Sequence, residues 1–319
     1  MEADVAVIGG GPVGATLALL LARAGRRVTV LEKSRLPRDK PCGEGLMPSG
    51  ARVLAAAGID LGAEGFPRVG AVRYRLDGGG SVRGELRSGP GYAVRRLRFD
   101  ALLAERAQAT PGVTFLAGCA ALGVRLEAGG TRVDTPAGEV RARVVVGADG
   151  LRSGVAGWLG WARRPAGRPR HALVGHLAAA GATLGDEIVV TLLGQVEVYA
   201  APAAGDEVLA AVLGPRGALR RPGLSVEQSY REAVERAHPA LAGAPLAGRV
   251  RGAGPFRTRP RTVAEGRCFL AGDAAGFLDP LTGDGIAAGL AQAAVLARLL
   301  AAPLDLGNQR QVAAAAARY

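Results

Sequence analysis

Residues 5–8 form a short β-branched run, glycines follow at 9, 10, 11 and 14, an apolar stretch with helical spacing covers 13–22, and Gly25 precedes a second β-branched run over 27–31. That order predicts strand, tight turn, helix and strand, closed by the acid Glu32. A Gly-, Pro- and charge-rich loop is expected over 33–50, then a helix over 51–57 stopped by Gly58. Alternating runs at 69–76 and 81–86 around Asp77-Gly78-Gly79-Gly80 predict a hairpin. A helix over 96–109 ends at Pro111-Gly112, before a strand at 113–116, a meander over 120–134 turning at Gly129-Gly130, and a buried strand over 140–147. From about residue 163 the pattern changes to strands at 171–178, 187–193, 197–201 and 207–213, which predict a separate antiparallel sheet. An amphipathic helix over 225–238 and a proline-studded link to 260 follow. The strand 268–270 and a helix over 285–302 complete the pattern, with the alanines of 313–317 as a low-complexity tail.

The opening segment carries the most specific chemistry. Gly9, Gly11 and Gly14 match G-x-G-x-x-G, in which one glycine makes the turn, one lets backbone approach a pyrophosphate, and one permits close packing of helix on strand. Pro12 and Val13 complete the turn, so that N–H groups of the new helix face the phosphates. Glu32 ends the second strand, where a carboxylate can bind a ribose hydroxyl, and Lys33 adjoins it. Strand, turn, helix, strand and acid in register predict a dinucleotide site.

Composition narrows the remaining classes. The formal charge of +12 invites a nucleic-acid reading, but 38 of the 40 basic residues are scattered arginines, Lys33 and Lys40 being the two lysines. No basic run interleaves with stacking aromatics, so nucleic-acid binding is not expected, and at most peripheral membrane contact remains. Cys42, Cys119 and Cys268 lie far apart, without metal-ligand spacing. No disulfide framework and no metal site are expected, and the usage fits the cytoplasm. The first strand is expected to begin near Asp4, so no signal peptide is expected, and the apolar run 13–22 is too short to span a bilayer.

Three separated motifs then agree. Gly9-Gly10-Gly11-Pro12-Val13-Gly14, Gly147-Ala148-Asp149-Gly150-Leu151-Arg152-Ser153 and Gly272-Asp273-Ala274-Ala275-Gly276 resemble the nucleotide, DG and GD motifs of the FAD-dependent flavoprotein monooxygenase (p-hydroxybenzoate hydroxylase-like) superfamily. Within it, Pro41-Cys42-Gly43-Glu44-Gly45-Leu46 and the stretch 276–286 resemble the geranylgeranyl reductase-like branch, which includes prenyl reductases and monooxygenases. The resemblance covers nearly all of the chain. It implies an α/β protein whose Rossmann-type FAD-binding domain, residues 1–68, 96–162 and 263–319, carries an inserted antiparallel β-sheet substrate domain, residues 69–95 and 163–262.

The resemblance also implies residue roles. Glu32 would bind the adenosine ribose, Arg96 would approach FAD, and Ala120 would offer backbone to the adenine. Asp273 would bind the ribityl or pyrophosphate region. Gly283, with the N–H groups of Gly285 and Ile286, would face the N1–C2=O edge of the flavin, where a helix N-terminus favours negative charge. Asp149 and Arg152 resemble residues linked to FAD and NAD(P)H contacts. Cys42 and Gly43 lie on the expected flavin loop. Superfamily members continue for several tens of residues past the point matching Tyr319. The expectation is a truncated chain, a minimal one, or a pocket open on that side.

Catalytic candidates are Cys42, Asp284 and His176, each weighed against a plainer role. Cys42 is a reactive thiol or a small buried loop residue, and Asp284 an acid near the flavin or a helix-cap acid. His171 and His176 stand five apart on one strand and face opposite sides, so they form no ligand pair. One of them is a candidate substrate contact. His238 at a helix end reads as a dipole partner. Trp158 and Trp161 lack the flavin-halogenase pattern and read as packing. The leading expectation is a monooxygenase acting on an apolar or aromatic small molecule. Its electrons would come from NAD(P)H bound transiently or from a separate reductase. An ene reductase saturating prenyl double bonds and a non-catalytic FAD-binding protein are the alternatives.

Overall fold

The computed structural model describes residues 1–163, 169–179, 184–277 and 279–319. In chain order, β1 (Glu2–Ile8), α1 (Pro12–Arg23) and β2 (Val28–Glu32) are followed by β3 (Gly45–Leu46), α2 (Pro48–Ala56) and β4 (Arg68–Val69). Then come β5 (Ala71–Leu76), β6 (Ser81–Glu85), β7 (Gly91–Ala93), α3 (Arg96–Gln108) and β8 (Val113–Ala117). The strands β9 (Gly123–Glu127), β10 (Gly130–Thr135) and β11 (Gly138–Gly147) lead into α4 (Gly154–Trp158). The second half holds β12 (Arg170–Ala178), β13 (Glu187–Leu193), β14 (Val196–Pro202), β15 (Glu207–Pro215), α5 (Arg216–Leu219), α6 (Val226–Ala237) and β16 (Arg251–Ala253). It closes with β17 (Ala264–Glu265), β18 (Cys268–Leu270), α7 (Gly285–Leu299) and α8 (Gln309–Arg318).

The first sheet runs β17-β18-β11-β1-β2-β8, parallel from β18 through β8, and the meander β9-β10 joins it at β11. Val5, Val7, Val28, Val30, Val144 and Val146 are buried because both faces of such a sheet are covered. Leu17 and Leu21 of α1, Leu296 of α7 and Val312 of α8 close one face. The second sheet, β16-β12-β15-β14-β13-β5-β6, is antiparallel except where β5 joins β13 in parallel. The long stretch of chain between the hairpin and β13 permits that parallel pairing, which a tight turn could not make. A small sheet, β3-β7-β4, stands between the two.

Three local expectations are corrected. The helix after the long loop begins at Pro48 rather than 51, since Met47 is extended and Pro48 occupies N1, where its missing N–H costs nothing. The alanines at 313–317 belong to α8, whose N-cap Asn308 accepts the N–H groups of Arg310 and Gln311 at 3.0 and 3.2 Å and whose Val312 and Ala315 enter the core. Trp161 is buried, but Trp158 is 41% exposed and lies over Gly154 instead of packing inside. The arginine- and proline-rich boundary expected from residue 163 falls largely outside the described residues.

His238 corrects the dipole reading. It does follow α6, whose N-terminus is closed by a capping box between Ser225 and Gln228, but its ring is buried and burial, with Arg75 nearby, lowers its pKa to about 4. It is therefore neutral at pH 7 and donates no charge to the helix end. Below pH 6.5 the unfolded chain takes up a proton that the folded one refuses until about pH 4. Stability contributed by the neutral ring is thus present above the unfolded pKa and lost as pH falls toward the folded one, by about 3 kcal/mol at most. His238→Gln should flatten the decline in urea-unfolding stability between pH 7 and 4.5. An unchanged slope would show that other groups set it.

Candidate active site

The turn after β1 is shaped by two contacts that exclude side chains. Gly9 has φ +107°, and a Cβ there would overlap the Ala148 carbonyl; a Cβ on Gly14 would overlap the Gly9 carbonyl. Gly11 differs: at φ −74° and ψ −172° it is ordinary extended backbone, so its value is open space and not conformational freedom. Pro12 opens α1, and no acidic residue stands in its first turn, which leaves the N-terminal N–H groups and the helix dipole available to an anion. Val13 packs against Gly272 and Gly289, seating the turn against the GD motif and α7.

Charges converge on this turn. A Cβ on Gly11 would lie 3.6 Å from an Arg38 nitrogen and 3.9 Å from an Arg96 nitrogen. Arg96 is buried and donates to both oxygens of Asp100 at 2.6 and 2.8 Å, while Arg38 pairs with Asp100 at 3.0 Å and with Glu32 at 3.5 Å. Burial works against the Arg96 charge, yet Asp100 and Cys42 hold it ionised. Glu32 accepts the N–H groups of Gly10 and Ser34, each at 2.9 Å. Burial raises its pKa, but Arg38 and those donors outweigh it and the net shift is downward. Lys40, largely enclosed, has its pKa lowered by burial and by Arg96, with Asp273 opposing; burial raises that of Asp273, with Lys40 and Arg96 opposing. Three cations beside a helix N-terminus suit a diphosphate, and Glu32 at the end of β2 suits a ribose. The residues present therefore fit FAD. Arg38, Lys40 and Asp100 carried no motif; they sit on a loop and a helix whose convergence only tertiary folding shows.

Asp149 accepts the Ser153 hydroxyl at 2.6 Å and the Val155 N–H at 3.2 Å, so it is engaged in closing the start of α4. Arg152 donates to the Gly254 carbonyl at 2.7 Å, toward the second sheet. Ala120 is half-buried just past β8, and Lys33 is exposed. Gly283, at φ +67°, turns the chain into α7; Asp284 is its exposed N-cap and Gly285 and Ile286 are its first residues. Leu278 of the neighbouring motif lies outside the described residues. Cys42 is half-buried, beside Arg96, and its Sγ accepts the Glu44 N–H at 3.4 Å.

A second buried cluster joins that loop to the inserted sheet. Glu44, in the left-handed region at φ +57°, accepts the backbone N–H of Arg96 at 2.8 Å and contacts His176 Nε2 at 2.9 Å. Arg95 reaches the same imidazole and pairs with Asp39 at 3.3 Å. His176 is therefore a link between sheet and loop, with its ring nitrogens already engaged. His171 is half-buried and on the opposite parity of β12, as the alternation requires. Tyr199 lies on the inner face of β14, buried beneath Gly43 and Gly45, and its hydroxyl has no hydrogen-bond partner among the described residues. Leaving such a group unpaired costs about 1–3 kcal/mol. Around it the inner face is carbon: Val174, Ile188, Val190, Leu209 and Leu213, with Met47, Phe277 and Leu281 packed against them.

A Rossmann sheet with a side-chain-free phosphate turn, a cationic cleft and an appended sheet defines a dinucleotide-binding flavoprotein. The chain belongs to the FAD binding domain family, whose model matches residues 2–315. It is 38% identical over 164 residues to the 6-methylpretetramide 4-monooxygenase of Streptomyces rimosus, covering 48% of this chain and 39% of that one. It is 31% identical over 306 residues to the digeranylgeranylglycerophospholipid reductase of Methanothrix thermoacetophila, covering 90% of this chain and 74% of that one. A flavoprotein/dehydrogenase from Cytophaga hutchinsonii has the same fold, with a TM-score of 0.85 at 20% identity over 93% of this chain and 78% of that one. The chain spans 39% of the length of the first of these relatives. Among the described residues no group of three or more His, Cys, Asp or Glu side chains could hold a metal, and no helix is long and apolar enough to cross a membrane.

Proposed function

We propose that the protein is an FAD-dependent monooxygenase that hydroxylates or epoxidises an apolar or aromatic small molecule. The observation that carries this is the carbon-lined inner face of the second sheet, set against Gly43, Gly45 and Met47 and against Phe277 and Leu281, with the Tyr199 hydroxyl unpaired within it among the described residues. Such a surface orients an apolar molecule and excludes water, which oxygen transfer requires. FAD, when bound, supplies the redox and oxygen chemistry. The chain's own work is to bind and aim: α1 with Arg38, Lys40 and Arg96 holds the diphosphate, Glu32 the ribose, and Gly285 and Ile286 offer N–H groups to the flavin. The likeness to a named monooxygenase supports this reading. Electrons would come from NAD(P)H bound transiently, since one nucleotide fingerprint serves FAD, or from a separate reductase. Three free thiols support a reducing, cytoplasmic setting.

A second reading is an ene reductase acting on an isoprenoid chain, supported by the likeness to a reductase of geranylgeranyl lipids. One structural feature favours it. The inner face continues past its covered part, because Tyr74 pairs in register with Val190 and Val82, and Leu76 with Leu192, and these outer residues are 41%, 73% and 59% exposed for Tyr74, Val82 and Leu76. An apolar track leading to the site suits a long hydrocarbon. The two readings separate in turnover under labelled O₂. The monooxygenase incorporates the label and stops without oxygen. Anaerobic turnover that adds two hydrogens and no oxygen overturns it in favour of the reductase, and yellow protein without turnover by any donor would mark a non-catalytic flavin binder.

A further inference from the structure

The turn that would face the flavin is tied to the inserted sheet by one arginine. Arg170, the first residue of β12, donates from one terminal nitrogen to both oxygens of Asp279 at 2.9 Å each. Its other terminal nitrogen lies against the Glu197 carboxylate on β14. Asp279 in turn accepts the N–H of Leu281 at 3.0 Å, closing the 3₁₀ turn Pro280–Thr282 that runs through Gly283 into α7. The backbone of the same region is stitched to the sheet as well: Phe256 N–H donates to the Arg170 carbonyl, and Phe277 N–H to that of Thr258, each at 2.9 Å. The Phe256 and Phe277 rings pack at 5.3 Å.

We propose that Arg170 is a positioning residue for the flavin: by holding Asp279, it sets where the N–H groups of Gly285 and Ile286 stand. This rests on the reading that those groups face FAD. Among the described residues the guanidinium meets Asp279 and Glu197, not the Arg38, Lys40 and Arg96 cluster beside α1. Its loss therefore leaves the diphosphate cradle intact while freeing the turn. It also leaves Asp279 and Glu197, two carboxylates, with their shared cation removed, so the turn shifts about its remaining anchors, the Phe277 N–H on Thr258 and the Phe256–Phe277 packing, and carries the N–H groups with it. A helix N-terminus stabilises charge only over about one turn, so a small displacement changes the preference for reduced over oxidised FAD.

The test compares the full chain with Arg170→Met, Arg170→Lys, Asp279→Asn and Glu197→Gln, measuring FAD affinity by titration and the flavin midpoint potential by equilibrium dye reduction. For Arg170→Met we expect oxidised FAD to bind within about twofold of the parent. Its preference for the reduced cofactor should fall about tenfold, a potential about 30 mV lower for a two-electron couple. Arg170→Lys should recover part of the shift, Asp279→Asn should reproduce it, and Glu197→Gln should leave the potential unchanged. Parent-like potentials in Arg170→Met and Asp279→Asn with FAD bound overturn the positioning role while leaving the flavoprotein reading untouched. Failure of the parent chain to bind FAD overturns that reading itself. Should Arg170→Met not fold, Arg170→Lys and Asp279→Asn decide by the same criterion.

Discussion

Gly14→Ala is expected to abolish FAD binding and destabilise the fold, whereas Gly11→Val should weaken FAD at least tenfold, about 1.4 kcal/mol, and leave the apoprotein's melting temperature unchanged. The difference lies in what a new Cβ meets. At Gly14 it overlaps the Gly9 carbonyl oxygen and comes within 3.2 Å of Val7, so α1 must lift off β1. Overpacking of this kind costs about 1–3 kcal/mol, and the lifted helix no longer presents its N–H groups to the turn. At Gly11 the backbone is already extended, and the nearest atoms are guanidinium nitrogens of Arg38 and Arg96 at 3.6 and 3.9 Å, ordinary contact distances for a Cβ. A valine there is unstrained, but it fills the space between helix N-terminus and cations. Titration with FAD and a melting curve of the apoprotein separate the two effects. Parent affinity in Gly11→Val would show that the cations do not surround the phosphate.

Periodicity made the fold readable because each half carries its own period. The βαβ unit over 2–32 alternates a β-branched run with an apolar helix, and strands β12 to β15 send alternate residues into two buried clusters, one on each face of their sheet. Short elements escaped where two readings share one composition. Residues 313–317 are alanine-rich, and tertiary contacts, Val312 and Ala315 in the core and the Tyr319 hydroxyl on the Leu270 carbonyl, separate a docked helix from a tail. His238 shows the same limit for chemistry: its place after α6 suggested a cation, and burial leaves the ring neutral. The candidate phosphate turn was legible in its glycine spacing, and the fold gives Gly9 and Gly14 backbone contacts that exclude a side chain. Side-chain partners separated by 50 residues or more left no local trace. Glu44 reaches His176 across 132 positions and Arg96 across 52, and neither spacing forms a motif.

Arg96→Met should give the largest loss of stability in the cleft, about 3–5 kcal/mol, because it removes one member of a buried ion pair. Arg96 is 5% exposed and Asp100 is fully enclosed, so their bidentate contact replaces water for both groups. Without Arg96, the ion-pair partner of Asp100 among the described residues is Arg38 at 3.0 Å, and Arg38 is shared with Glu32 at 3.5 Å. Arg38 drawn toward Asp100 leaves Glu32 with less compensation for its burial, so the Glu32 pKa rises from its present lowered position. FAD affinity should fall as well, since the phosphate loses a cation. The double variant Arg96→Met/Asp100→Leu distinguishes the two contributions: an apolar pair in place of the ionic one restores most of the stability but not the affinity. Guanidinium unfolding and FAD titration on parent, single and double variants provide the cycle. A cost below about 1 kcal/mol for Arg96→Met would mean that Arg38 alone neutralises Asp100. Recovery of FAD affinity in the double variant would mean that Arg96 serves the fold and not the phosphate.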